Sequence, residues 1–149
     1  MIRKDNYGTR GKQRTIDRDI KTVFDFILDG ANGPKWRPDV TDAELLPSKP
    51  LGVGAVFKQG MKGPGGRIAA DYEIVECRPN EWIKFQVVGG PARPTGTYEL
   101  AGEGKSTDVT FVLDFQPKGL ARLMDGMINR SMQAEVGNLA NLKSYLESH

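Results

Sequence analysis

The chain has 149 residues, a formal net charge of +2, 38% hydrophobic residues and 27% charged ones. That length fits one domain, residues 1–149, able to bury roughly two thirds of its unfolded surface, and the near-neutral balance excludes a protein that holds polyanions by bulk charge. Cys77 is the only cysteine, so no intramolecular disulfide can form and a reducing, cytoplasmic setting is expected. No apolar run reaches the ~20 residues of a membrane span and no signal-peptide core follows the charged start, so membrane insertion is not expected.

The amino end is mildly basic, with Arg3, Lys4, Arg10, Lys12, Arg14, Arg18 and Lys21 against Asp5, Asp17 and Asp19, and reads as a solvated first strand. From Ile20 the apolar residues Ile20, Val23, Phe24 and Ile27 fall on one helical face, with Asp17 or Asp19 as the cap and Gly30 as the stop. Residues 31–38 form a second short helix or loop, in which Pro34 and Pro38 fix the backbone around Trp36.

The period then changes to two. Residues 39–46, 55–62, 67–77, 81–88, 95–100 and 108–115 read as strands separated by turn residues. In "KGPGGR" Pro64 and Gly65 suit the central positions of a type II turn, which makes this a hairpin tip and not a phosphate loop. Gly52 and Gly54 mark a kink entering a strand. The alternating faces, such as Val109, Phe111, Leu113 and Phe115, have one wet side, as antiparallel sheets do.

Residues 118–147 lack proline and keep a helical period, which predicts one helix of roughly 45 Å. Leu120, Met124, Met127, Ile128, Leu142, Tyr145 and Leu146 cluster on one side, while Arg122, Asp125, Asn129, Gln133 and Glu147 point away. Ser131, Glu135 and Asn138 interrupt the apolar stripe. A buried carboxylate costs several kcal/mol unless it is paired, protonated or solvated, so Glu135 becomes the weak candidate for proton handling or ligand orientation. An arginine such as Arg67 or Arg93 could pair with it. Alternatively the helix turns its buried face toward Met132, Val136 and Leu139, leaving Glu135 at the rim. The whole predicts an α+β fold: two short helices after the first strand, and a curved seven-stranded antiparallel sheet wrapped around a long C-terminal helix.

The stretches "TVFDFILDGANGPKWRPDV", "GVGAVFKQ", "ADYEIVECRPNEWIKFQV", "TGTYEL", "STDVTFVLDFQP" and "NLANLKSYLE" resemble the helix-grip superfamily of START-like, birch-pollen-allergen-like and polyketide cyclase/dehydrase-type lipid-binding proteins, often called SRPBCC. They cover nearly the whole chain. "NYGTRGKQRTI" departs most, which leaves the register of the first strand open. The resemblance implies a cavity for a hydrophobic ligand between the sheet and the last helix, and the one-sided strands and helix lead to the same space. Its expected lining is Trp36, Phe57, Met61, Tyr72, Phe85, Tyr98, Phe111, Met124 and Ile128. Met127 borders the same face, and Gln59, Tyr72 and Tyr98 supply hydrogen bonds, with Ser131, Glu135 and Asn138 contributed by the helix.

The only histidine is the terminal His149, which nearly excludes histidine-based triads, and with one cysteine no zinc site can be assembled. No cofactor and no metal are expected. The leading expectation is a carrier or sensor of a small hydrophobic molecule such as a lipid or polyketide-like compound. The alternative is a cyclase/aromatase-type enzyme working without histidine catalysis, with Glu135 as acid or base and a tyrosine as oxyanion donor. A third reading is a ribosome or protein-interaction module like the toxin-like members of the superfamily, with RNA contact a minor expectation and DNA none. The oligomeric state stays open.

Overall fold

The computed structural model describes residues 9–90, 92–115 and 125–149, with the side chains of residues 9, 10, 103, 125–129 and 131 outside that set. Strand β1 (Thr9–Ile16) is followed by α1 (Ile20–Leu28), a 3-10 helix (Gly30–Lys35) and β2 (Val40–Leu45). β3 (Val56–Gly63), β4 (Gly66–Ala69), β5 (Tyr72–Arg78), β6 (Trp82–Val87), β7 (Thr95–Glu103) and β8 (Ser106–Asp114) complete the sheet, and α2 (Asp125–Gly137) and α3 (Leu139–Ser148) close the chain. The sheet runs β1-β8-β7-β6-β5-β3-β2, with the short β4 pairing β3 beside this path of seven. Every pairing is antiparallel. The curled sheet grips the bent C-terminal helix, as the alternation and helical period predicted.

The register of β1 is now fixed, from Thr9 opposite Asp114 to Ile16 opposite Thr107. Asp19, not Asp17, caps α1, its carboxylate accepting from the Thr22 N–H at 3.2 Å. At the hairpin tip Gly63 pairs Gly66 across Pro64 and Gly65, as expected, but the positive φ falls on Gly66, at 115°, and not on Gly65, so the type II assignment is corrected.

The strand expected over residues 67–77 is broken at Ala70 and Asp71. There the Ala70 N–H donates to the Gln59 carbonyl at 2.8 Å, the Asp71 carboxylate takes the Gln59 N–H at 3.1 Å, and the Asp71 carbonyl takes the Val88 N–H at 2.7 Å. A side chain that competes for backbone partners ends regular pairing.

The expectation of one uninterrupted last helix is also corrected. α2 and α3 meet at Asn138, whose N–H bonds the Glu135 carbonyl at 3.0 Å, three residues back in place of four. Gly137 and Asn138 are adjacent poor helix formers, which locates the bend. The predicted start at Lys118, with Leu120, Arg122 and Met124, lies outside the described residues.

The face that α2 and α3 bury is Met132, Val136, Leu139, Leu142 and Leu146, all packed into the same cluster as Ile16, Val23, Phe57, Val109 and Phe111. This is the rotated face, the alternative of the two read from the sequence. Glu135 therefore flanks the buried stripe instead of sitting in its middle.

Candidate functional site

Residues 29–38 build one wall of the site. Asp29 ends α1 and starts the 3-10 helix, its carboxylate accepting from the Ala31 N–H at 3.1 Å. The Trp36 and Arg37 N–H groups both bond the Gly33 carbonyl, at 3.2 and 2.9 Å, so the turn ends by folding back on itself. With Pro34 inside this turn and Pro38 just beyond it, the backbone around Trp36 has little freedom. The indole is 5% exposed and sets its edge against Tyr98, ring centres 6.4 Å apart.

Beneath this wall lies a cavity of about 30 Å³. Ile27, Leu28, Asp29, Gly30 and Gly33 roof it, and Gln59, Tyr72, Ile74, Ile83, Phe85 and Tyr98 rise from the sheet. Room for roughly two waters is all that this provides. The sheet floor is a continuous aromatic pack: Tyr72 lies between Phe57 and Phe85 at 5.1 and 5.2 Å, and Tyr98 stacks on Phe111 at 4.2 Å.

Two polar atoms in this pack have no hydrogen-bond partner among the described residues. Among the described residues no hydrogen bond engages the hydroxyl of Tyr72 or of Tyr98, although both residues are buried. Burial pushes both phenols well above their ordinary value, against the opposing field of Arg37. They are neutral donors and poor bases. A buried hydroxyl without a partner costs on the order of 1–3 kcal/mol, which a bound acceptor would offset.

Arg37 organises the remaining polar groups. Its Nε donates to Glu135 Oε1 at 2.6 Å and its Nη1 to Gln59 Oε1 at 3.0 Å, while Nη2 lies 4.0 Å from the Met61 sulfur. Gln59 in turn donates to the Ala70 carbonyl at 3.1 Å. Burial works against the guanidinium charge, but the field and hydrogen bond of Glu135 outweigh it and hold Arg37 more firmly protonated than usual. A 3-10 helix, the sheet and α2 are thus joined through one side chain.

Of the residues predicted for the site, Trp36, Gln59, Tyr72, Phe85 and Tyr98 border the cavity. Phe57 and Phe111 lie behind it as supporting rings, and Met61 meets Arg37. Glu135 reaches the site through Arg37, whereas Asn138 accepts from the Asn141 side chain at 3.2 Å where the helix bends. Met124 lies outside the described residues, as do the side chains of Met127, Ile128 and Ser131. The partners suggested for Glu135 are corrected: Arg67 binds Asp42 at 2.9 Å and Arg93 donates to the Gly90 carbonyl at 3.2 Å. Arg37 is a site residue that the sequence reading did not single out: Lys35 and Arg37 both flank Trp36, and nothing in the local pattern distinguishes the two cations.

The model of the family described as "Polyketide cyclase / dehydrase and lipid transport" matches residues 11–147. The chain belongs to this family. Among solved structures, Ara h 8.0201 is similar with a TM-score of 0.74 at 19% identity, covering 95% of this chain and 98% of its own. A START superfamily protein from Mycobacterium smegmatis has a TM-score of 0.73 at 13% identity, covering 93% and 98%. The Zhui aromatase/cyclase from Streptomyces sp. R1128 has a TM-score of 0.69 at 15% identity, covering 90% of each chain. At these identities the likeness is one of fold. No curated protein matches the chain in sequence. Among the described residues no helix is long and apolar enough to cross a membrane, and no cluster of three or more His, Cys, Asp or Glu side chains could hold a metal.

Proposed function

We propose that the chain binds a small hydrophobic molecule between its sheet and its C-terminal helix, as a carrier or sensor. The observation that carries this reading is the pair of buried tyrosine hydroxyls, Tyr72 and Tyr98, which have no hydrogen-bond partner among the described residues and sit in an aromatic enclosure. Apolar walls with a few convergent polar groups are what small-molecule sites are made of. The ligand that fits is apolar in its body and carries a hydrogen-bond acceptor, such as the carbonyl or carboxyl oxygen of a lipid or polyketide-like compound. Native mass spectrometry of protein purified from its own host tests this: a mass retained in the folded protein and released on denaturation is expected, and an empty protein that also ignores a dansyl-labelled fatty acid overturns it.

One observation favours a second reading, a cyclase or aromatase-type reaction. Two neutral phenols within the field of Arg37 would stabilise charge developing on a substrate oxygen. Glu135, the acid or base that such a reaction would use, is engaged with Arg37, which favours binding over proton transfer. Turnover of a linear polyketide-like substrate, lost in Tyr98→Phe, would decide for the enzyme.

A further inference from the structure

Among the described residues Trp36 is the one shared by two spaces. The first is the recessed, partly open cavity of about 30 Å³; the second is a wider-open groove of about 390 Å³ between the 3-10 helix and α3, bounded by Pro34, Lys35, Pro38, Asn141, Ser144 and Tyr145. Small-molecule sites occupy roughly 300–1,000 Å³. The recessed part alone is about tenfold too small, while the groove is large enough but is not lined by either tyrosine.

Of the described lining residues, Trp36 is the one that the two spaces have in common. Pro34 and Pro38 restrict the backbone on either side, so opening the wall requires rotation of the side chain more than movement of the segment. The next residue, Arg37, is fastened to Glu135 of α2 at 2.6 Å, with both side chains largely buried, and its guanidinium lies 5.9 Å from the Trp36 ring centre. The ion pair therefore holds the wall-bearing turn against the C-terminal helix.

We infer that the groove and the cavity are two compartments of one ligand site, that Trp36 is the movable partition between them, and that the Arg37–Glu135 pair is the latch. The occupant is an apolar molecule whose flat body lies against Pro34, Pro38 and Tyr145 and whose oxygen acceptor reaches Tyr98 once the indole turns aside. The inference rests on the proposed ligand-binding reading for its purpose, but the partition itself is a statement about access and is measured without ligand.

Cys77→Ser removes the native thiol and Ile83→Cys places one on the cavity wall, where labelling by iodoacetamide, followed by mass, reports entry. Adding Trp36→Ala is expected to speed labelling by about tenfold or more, and Glu135→Gln by about threefold, with rates independent of low urea because the opening is local. An unchanged rate in Trp36→Ala, or an acceleration that rises with urea as global unfolding does, overturns the partition; should that variant fail to fold, Trp36→Phe is measured in its place against the same two outcomes. A dansyl-labelled fatty acid is titrated in parallel. Fast labelling without probe binding would discard the ligand-binding reading and keep the partition, whereas probe binding with unaltered labelling would do the reverse.

Discussion

Arg37 and Glu135, separated by 98 positions in the chain, meet at 2.6 Å with their side chains 13% and 12% exposed. A pair this far out of water has lost much of its hydration, so its strength depends on both partners being present. Glu135→Ala should destabilise the fold by about 3 kcal/mol because it leaves a buried guanidinium unmatched, whereas Glu135→Gln keeps the hydrogen-bond acceptor and should cost about half as much. Urea unfolding of both variants, and of Arg37→Met and Glu135→Leu each alone and combined, gives the coupling. A double variant as unstable as the sum of the singles would mean the pair contributes nothing jointly.

The two tyrosine hydroxyls lead to the opposite expectation. Since neither has a hydrogen-bond partner among the described residues, Tyr72→Phe and Tyr98→Phe should leave stability within about 0.5 kcal/mol of the parent, or raise it. Affinity for a carboxylate-headed apolar probe should fall by about fivefold or more in the same proteins. Loss of stability with unchanged probe affinity would assign the hydroxyls to the fold and not to a ligand.

Phe111 separates packed core from pocket. It is 1% exposed, is stacked on Tyr98 at 4.2 Å, and lies behind the rings that border the cavity. Phe111→Ala should therefore cost about 3–5 kcal/mol, the range for a filled site that cannot collapse. A loss well under that range in urea unfolding would place an open space beside it.

The fold was legible because the period of two persists along most of the strands, the break at Ala70 and Asp71 aside. Val109, Phe111 and Leu113 are 0%, 1% and 3% exposed, as their spacing requires of one sheet face. The last helix was misread for a local reason: a single helical phase was carried across Gly137 and Asn138, and a bend there shifts the buried stripe to Met132, Val136 and Leu139. The site was less legible still. Glu135 betrayed itself as a carboxylate needing a partner, but spacing along a chain carries no information about a contact 98 residues away, so Arg37 was not among the partners suggested.

Outside the site, the Asp42 carboxylate accepts from Arg67 Nε and Nη2, both at 2.9 Å, and from Thr41 at 2.7 Å. These hydrogen bonds, Arg67 first, lower its pKa from 3.8 to about 2. A depressed folded value means that the contribution is fully present above the unfolded value and is lost as pH falls through the folded one. Thermal unfolding of the parent and of Asp42→Asn should differ at about pH 6 and converge as pH drops through 3.8 toward 2. A gap that persists at the acid end would show that the asparagine disturbs something other than the charge.

Gly30 provides a test of how tightly the roof is set on the aromatic floor. A Cβ at this position would collide with the Tyr72 hydroxyl and press on the Phe57 ring, so the roof approaches the sheet only because residue 30 has no side chain. Gly30→Ala must displace either the roof or the Tyr72 ring. A strained core contact of this kind costs about 1–3 kcal/mol, and relief is available if Tyr72 is shortened. Gly30→Ala combined with Tyr72→Phe should therefore recover most of that loss, a coupling that urea unfolding of the four proteins measures directly. Additive effects would mean that the backbone of the turn moves and that the closeness of Gly30 to Tyr72 is not what fixes the roof.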